Sequence, residues 1–358
     1  MKIVIASDSF KGSATSLEIA DYVEAGIREV IDAEIIKLGI GDGGEGTLEA
    51  LSILPNTETI LVDTVDAMDR DISAKILKLD KTSYFIEMAQ ASGLTLVSDI
   101  PLQNASSYGT GLLIKKAIEF GTKTIYLSLG GTATNDLGLG LLVALGMKFY
   151  DAAGQETKSI LNVTDFSDLP EISGVKFVIL SDVKNPLYGK EGASHVFGPQ
   201  KGLSPEAVEK HDEAFKRFSQ LVQSKLGQDL AQMPGTGAAG GVGYAGLVFL
   251  KGTIVSGIHT VLDLIGFSEQ IKEADYIITG EGKVDAQSLS GKVISGILER
   301  GENIPVVVLG GTVAQDFVNP GFYQVIDCSN PALSLEENMK QTSKNVKRAI
   351  RQFILDAM

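Results

Sequence analysis

The sequence predicts an α/β protein with largely parallel sheets, and two observations carry that reading. Short apolar, β-branched runs alternate with amphipathic helical patterns. Several of the runs also end directly in glycine or a carboxylate: IASDS, SLGGT, ILSD, ITGEG and VLGG. Ligands of open α/β sheets gather beyond the carboxyl ends of strands, so these junctions are where a site is expected. The strand candidates are residues 2–7 (KIVIAS), 34–38 (EIIKL), 124–129 (TIYLSL), 176–180 (KFVIL), 276–279 (YIIT) and 305–309 (PVVVL). Helix starts are marked too. Thr15 with Glu18 spells a capping box ahead of a helix whose Ala20, Val23, Ile27, Val30 and Ile31 share a face. Ser204-Pro205 is an N-cap followed by proline at the first helical position, opening a charged helix through residue 225. Ser334 with Glu337 is a second capping box, predicted to open a final helix with Val346, Ile350, Phe353 and Ile354 inward.

With 358 residues the chain exceeds the usual single core, and two domains are expected. The resemblance of IVIAS to the late strands YIIT and VVVL favours a discontinuous domain, 1–65 with 270–358, holding an inserted domain at 66–269. A simple N-terminal/C-terminal split is the rival. The composition, 44% hydrophobic and 21% charged without an apolar run of membrane-spanning length, predicts a soluble protein that does not enter the membrane. MKIVIASDSF meets polar residues by position 7 and does not read as a signal peptide. The one cysteine, Cys328, excludes an intrachain disulfide and a cysteine metal cluster and fits a cytoplasmic location. A net charge of −14 without a basic block argues against nucleic acid as partner. Nothing in the sequence fixes an oligomeric state.

The 40 glycines cluster in short loops. G-x-G-x-x-G occurs at 41–46 (GDGGEG), 235–240 (GTGAAG) and 241–246 (GVGYAG). The latter two follow DLAQMP, which is not a strand and so lacks the context of dinucleotide binding. They read instead as the opening of a helix, packed closely either on a neighbouring element or on an anion at its N-terminus. GDGGEG does follow a strand, but Asp42 and Glu45 would face a bound pyrophosphate without a compensating charge. A nicotinamide-dependent dehydrogenase, with Asp63 or Asp66 on the ribose, is therefore a weaker alternative. P-loop, protein-kinase and H-E-x-x-H motifs are absent. Of the three histidines, His211 reads as part of a solvated helix face, and His195 and His259 as structural. What recurs is carboxylate beside glycine: Asp8 and Lys11 in SDSFKGS, Asp42 and Glu45 in GDGGEGT, Asn135 and Asp136 in GGTATND, Asp182 in LSDVKNP, and Glu281, Lys283 and Asp285 in TGEGKVDAQ. Such oxygen donors suit Mg²⁺ and the needs of phosphoryl transfer. A non-enzymatic small-anion binder, the other alternative, would not need so many acidic loops.

These loops, with EMAQASGL (87–94), SSYGTG (106–111), SDVKNPLYG (181–189), VFGPQKG (196–202) and GAAGGVG (237–243), resemble the bacterial glycerate kinase family in order from residue 6 to about 312. The resemblance implies ATP- and Mg²⁺-dependent phosphorylation of D-glycerate, commonly to 2-phosphoglycerate. It also implies two unlike α/β domains, one inserted in the other and flavodoxin-like, with the active site in the interdomain cleft. Ser7 stands where the family usually has proline and Thr132 where it has serine. From the chemistry of the residues, Asp8, Ser9, Lys11, Asp42 and Glu45 are expected to bind substrate, Lys11 countering its carboxylate. Gly130, Gly131, Thr132, Thr134, Asn135 and Asp136, with Gly237, Gly240 and Gly241, are expected to hold the ATP phosphates. Asp182 and Asp285 are the candidates for general base, Lys283 for charge stabilisation, and Asp182, Glu281 and Asp285 for metal ligands.

Overall fold

The structure, a computed structural model, describes residues 1–97, 104–289, 292–301 and 303–358. The chain divides into two compact units: Met1–Asp42, Glu49–Leu54 and Ile258–Met358 form the first, and Gly43–Leu48 and Pro55–Gly257 the second. Among the described residues the strands in chain order are β1 (Lys2–Ile5), β2 (Glu34–Lys37), β3 (Glu58–Val65), β4 (Asp71–Lys78), β5 (Ser83–Glu87), β6 (Thr124–Ser128), β7 (Phe149–Tyr150), β8 (Asp165–Phe166), β9 (Lys176–Leu180), β10 (Thr253–Val255), β11 (Tyr276–Val284), β12 (Val306–Val313) and β13 (Gln324–Asp327).

The first unit is built on a parallel sheet in the order β13-β12-β11-β1-β2. Counted within the unit this is 2-1-3-4-5, the flavodoxin-like order, with its topological switch between β1 and β11. That order thus belongs to the discontinuous unit, whereas the resemblance attaches the flavodoxin-like label to the inserted segment. Thr15 and Glu18 form the expected capping box and start the helix Ser16–Arg28. Its Ile19, Val23 and Ile27 pack with Val346, Ile350 and Phe353 of the helix Thr342–Ala357 over one face of the sheet. Gly26 makes the close crossing possible, because a Cβ there would stand 2.8 Å from the Ile350 side chain.

The second unit carries a mixed sheet, β10-β9-β6-β5-β4-β3, parallel from β10 to β5 and antiparallel through β4 and β3. Its core joins Ile86, Ile125, Leu127 and Ile179 from the sheet with Leu113, Ile114 and Phe215. Phe215 belongs to the long helix Pro205–Leu226, which Ser204 caps as expected and Gly227 ends with φ +68°.

Several expectations need correcting. β11 and β12 continue to Val284 and Val313 and stay paired, Glu281 opposite Gly310 and Lys283 opposite Thr312. Glu281 and Lys283 are therefore strand residues and not loop residues. The Ser334 capping box opens only the short helix Leu335–Lys340; the inward-facing Val346, Ile350, Phe353 and Ile354 lie on a separate helix after Gln341. His211 is buried and its Nδ1 lies 2.8 Å from the Ala207 carbonyl, one helical turn back, so it is not on a solvated face. Among the described residues no helix is long and apolar enough to cross a membrane.

Candidate active site

In the first unit the carboxyl ends of β1 and β11 bring Asp8 and Glu281 to the topological switch. The Asp8 N–H donates to the Gly280 carbonyl at 2.9 Å, so the chain leaving β1 continues the ladder alongside β11. Ser7 reinforces the same junction, its hydroxyl donating to the Gly280 carbonyl at 3.1 Å, an interaction that the proline usual in the family could not make. Ser16 accepts from the Ile40 N–H and donates to the Ser7 carbonyl, tying the segment after β2 to the segment after β1.

The half-buried Asp8 carboxylate accepts from the Ser9 N–H at 2.7 Å. Burial, then the charges of Asp42 and Glu281, push its pKa up to about 7 despite that bond. Glu281 is raised as well, first by burial, with Asp285 and Asp42 adding to it while the Ser288 hydroxyl and Lys292 oppose. Glu281 Oε1 is buried with no hydrogen-bond partner among the described residues. Four carboxylates, Asp8, Asp42, Glu281 and Asp285, thus share one sheet edge, and burial with the neighbouring charges makes a proton or a cation favourable at Asp8 and Glu281. Lys283 is exposed and ion-paired to Asp285 at 3.1 Å. Lys11 is exposed, its backbone N 3.3 Å from where a Cβ on Gly282 would stand. Lys292, which sequence reading missed, is the cation whose charge reaches Glu281.

The second unit gathers the other loops. The glycine loop passes from one unit to the other between Asp42 and Gly43, so its two carboxylates belong to different units. Glu45 accepts from the Thr95 hydroxyl at 2.9 Å. Glu87, fully buried and also missed, accepts from the N–H groups of Gly46 (3.1 Å) and Leu48 (2.8 Å) and so shapes the loop. Burial raises its pKa against those bonds. Gly130 sits against the same loop: a Cβ there would lie 2.4 Å from Gly44 Cα. Gly131 beside it has φ +72°.

Along the loop 129–136, Asp136 accepts from the Ser107 N–H and hydroxyl and from the N–H groups of Gly138 and Gly140. With four donors it is a turn organiser, not a group facing phosphate. Thr134 and Asn135 are different. Thr134 Oγ1 and Asn135 Oδ1 are buried without partners among the described residues, while Asn135 Nδ2 donates to Ser194 at 3.0 Å. Buried Lys201 donates to the Thr134 carbonyl at 2.6 Å; burial brings its pKa down to about 8, opposed by Asp136. Thr132 is buried and forms a β-bridge with Gly93.

Gly237, Gly240 and Gly241 serve close packing. A Cβ on Gly240 would lie 2.2 Å from the Thr134 carbonyl oxygen, one on Gly241 2.8 Å from Leu137 Cα, and one on Gly237 2.3 Å from the Pro186 carbonyl oxygen. Ala239, Gly240 and Gly241 all have positive φ, which lets the chain press on residues 134–137 before turning into helix. The neighbour anticipated for this block is therefore the loop 134–137.

Asp182, just beyond β9, accepts from the Gly257 N–H at 3.0 Å. Among the proposed metal ligands, Asp182 lies in the second unit and Glu281 and Asp285 in the first. No group of three or more His, Cys, Asp or Glu side chains among the described residues is placed to hold a metal ion by itself. Asp66 is committed to the turn after β3, accepting from the Met68 and Arg70 N–H groups and pairing with the Arg70 guanidinium. It is not available to a ribose, and the dehydrogenase reading loses one of its two candidate ribose ligands.

Comparison with known proteins adds a history to this geometry. The Glycerate kinase family profile matches residues 3–357. The chain is 38% identical to a glycerate kinase of Haemophilus influenzae, over 98% of this chain and 99% of that protein. It is 36% identical to the glycerate 2-kinase of Escherichia coli K12, over 98% and 96%. The crystal structure of a Salmonella typhimurium LT2 protein described as glycerate kinase 2 superposes with a TM-score of 0.85 at 36% identity, covering 100% of this chain and 98% of that one.

Proposed function

The chain belongs to the glycerate kinase family and is an ATP-dependent kinase, a phosphotransferase, and from that premise we propose that it transfers the γ-phosphoryl group of ATP to the 2-hydroxyl of D-glycerate. The observation that carries the reading is the carboxylate cluster at the β1–β11 switch. A small polyhydroxy acid offers hydroxyl donors to acceptor-only carboxylates, and Lys11, Lys283 or Lys292 can meet its own carboxylate. The 2-hydroxyl follows the name of the Escherichia coli relative.

In the step, the hydroxyl O–H bond breaks as its proton passes to a carboxylate. The oxygen bonds to the γ-phosphorus, and the bond from that phosphorus to the bridging oxygen of ADP breaks. Among the acceptors, Asp8 is favoured over the two named from sequence. Asp285 is paired with Lys283 and Asp182 is engaged by the Gly257 N–H, whereas Asp8 faces two like charges and gains most from a proton. Thr134, whose buried hydroxyl can donate and has no partner among the described residues, remains the proposed phosphate-side group of the loop 129–136, set in place by Lys201 beneath.

Mg²⁺ fits this donor set. The ion commonly takes one or two carboxylates plus substrate phosphates, and the unpartnered Glu281 Oε1 beside Asp285 is such an oxygen pair. Glu281 and Asp285 would hold it, and when bound it neutralises phosphate charge.

Phosphorus NMR of a reaction containing D-glycerate and ATP tests the assignment. The expected product is 2-phosphoglycerate. A 3-phosphoglycerate signal would move the transfer to the other hydroxyl, and no phosphorylated product would overturn the reading.

A further inference from the structure

The second unit has a cavity of about 390 Å³ at the carboxyl ends of β9 and β10, within the size range of small-molecule sites. Met233, Pro234, Leu247 and Ile254 give it apolar walls, and Asp182 and Lys184 stand among its polar lining. Its floor is an edge strand. Among the described residues β10 pairs only with β9, and the Ser181 N–H donates to the Val255 carbonyl at 3.0 Å. In a parallel ladder successive residues turn their peptide groups to opposite sides. Thr253 and Val255 therefore face β9, and Ile254 directs both its N–H and its C=O to the open edge.

We propose that this cavity takes the adenine and ribose of ATP, with the Ile254 peptide reading the amino edge of the base. The inference rests on the kinase reading above. A donor and an acceptor on one residue complement adenine, whose ring nitrogen accepts and whose 6-amino group donates. Guanine presents an acceptor oxygen where adenine has that amino group, so the same edge mismatches it. The apolar walls bracket a planar ring, and the Met233 thioether is a soft surface for one. The wall on the Pro234 side is fixed in place: Gly235 has φ +88°, and a Cβ there would meet the Ile254 side chain at 3.1 Å. Asp182, whose carboxylate accepts from the Gly257 N–H, belongs to the polar part of the lining. Exposed Lys184 adds a cation to the lining, suited to an anionic nucleotide.

Calorimetry on the full-length protein tests this with ADP, GDP and adenosine as probes. ADP should bind, GDP at least tenfold more weakly, and adenosine should compete with ADP. Met233 is 45% exposed, so Met233→Trp should fold while filling the cavity and weakening ADP at least tenfold. Hydrogen exchange on the unaltered protein gives an independent readout, because ADP should slow the outward-facing Ile254 amide. Equal ADP affinity in Met233→Trp, with unchanged exchange over residues 252–256, overturns the assignment and leaves the kinase reading standing. Equal binding of GDP and ADP overturns the role of the Ile254 peptide. An unaltered protein that neither binds ADP nor phosphorylates D-glycerate overturns the kinase reading, and this one with it.

Discussion

Asp8 concentrates the chemistry of the first unit at one side chain. Its environment sets a sign that can be measured. In the metal-free protein the carboxyl keeps its proton to about pH 7 rather than 3.8, because burial and the charges of Asp42 and Glu281 disfavour ionisation. Between those values the native state binds more protons than the unfolded chain. The stability this supplies is complete below about pH 3.8 and is lost as pH rises through about 7. Asp8→Asn carries no charge at any pH and escapes that loss. Its melting temperature should match that of the unaltered protein in acid and exceed it by roughly 2–4 °C above pH 8 in chelator-containing buffer. An offset independent of pH would show that Asp8 does not carry the strain assigned to it. The same variant should lose about 10²-fold in kcat if Asp8 accepts the hydroxyl proton. Asp182→Asn and Asp285→Asn should lose less, and a larger loss in either of them returns the role to that residue.

At the scale of elements, the glycine run 235–243 is a packing device, and its glycines should differ sharply in tolerance. Gly240→Ala places a Cβ 2.2 Å from the Thr134 carbonyl oxygen at φ +65°. The loop 129–136 must then move, at a cost of more than about 2 kcal/mol. Gly227→Ala, at the end of the long helix with φ +68° and open space around it, should cost only about 1 kcal/mol. Urea unfolding of the two variants checks the contrast, and equal costs would mean the contact at Gly240 relaxes freely. The contrast also marks what was legible in the sequence. Capping boxes at Thr15 and Ser334 and the cap at Ser204 are local hydrogen-bond patterns, and all three are present. The buried strands β1, β6 and β9 were visible as apolar runs. β3 and β4, which expose alternate residues, and the three-residue β10 lacked such runs. The acidic loops announced a site, but which carboxylate is strained depends on neighbours far away in the chain. Asp8 is raised by burial and then by the charges of Asp42 and of Glu281 on the neighbouring strand, whereas Asp136 looks equivalent in sequence and is spent on a turn. Glu87 and Lys201 stood inside the family motifs, yet no local pattern says that each is buried beneath a loop.

For the whole molecule, the discontinuous unit raises a question of folding order. β1 and β11 are adjacent, yet the hydroxyl of Ser7 meets the Gly280 carbonyl across 273 residues. Closing so long a loop costs entropy that grows with its length. Within the second unit, however, the points where the chain enters and leaves nearly touch: a Cβ on Gly43 would stand 3.3 Å from Gly257 Cα. Once that unit has folded, the chain between Gly43 and Gly257 no longer counts toward the loop that β1–β11 pairing must close. The saving is roughly 1 kcal/mol, enough to favour one order by several-fold. The second unit's sheet is also less demanding at its start, because β3, β4 and β5 follow one another and pair in sequence order. Pulse-labelled hydrogen exchange during refolding should therefore protect amides of β4, β5 and β6 before those of β1 and β11. Destabilising the second unit with Gly240→Ala should delay protection of β1 as well. Simultaneous protection of both sheets, or β1–β11 amides protected first, would show that the first unit closes its long loop without help from the insertion.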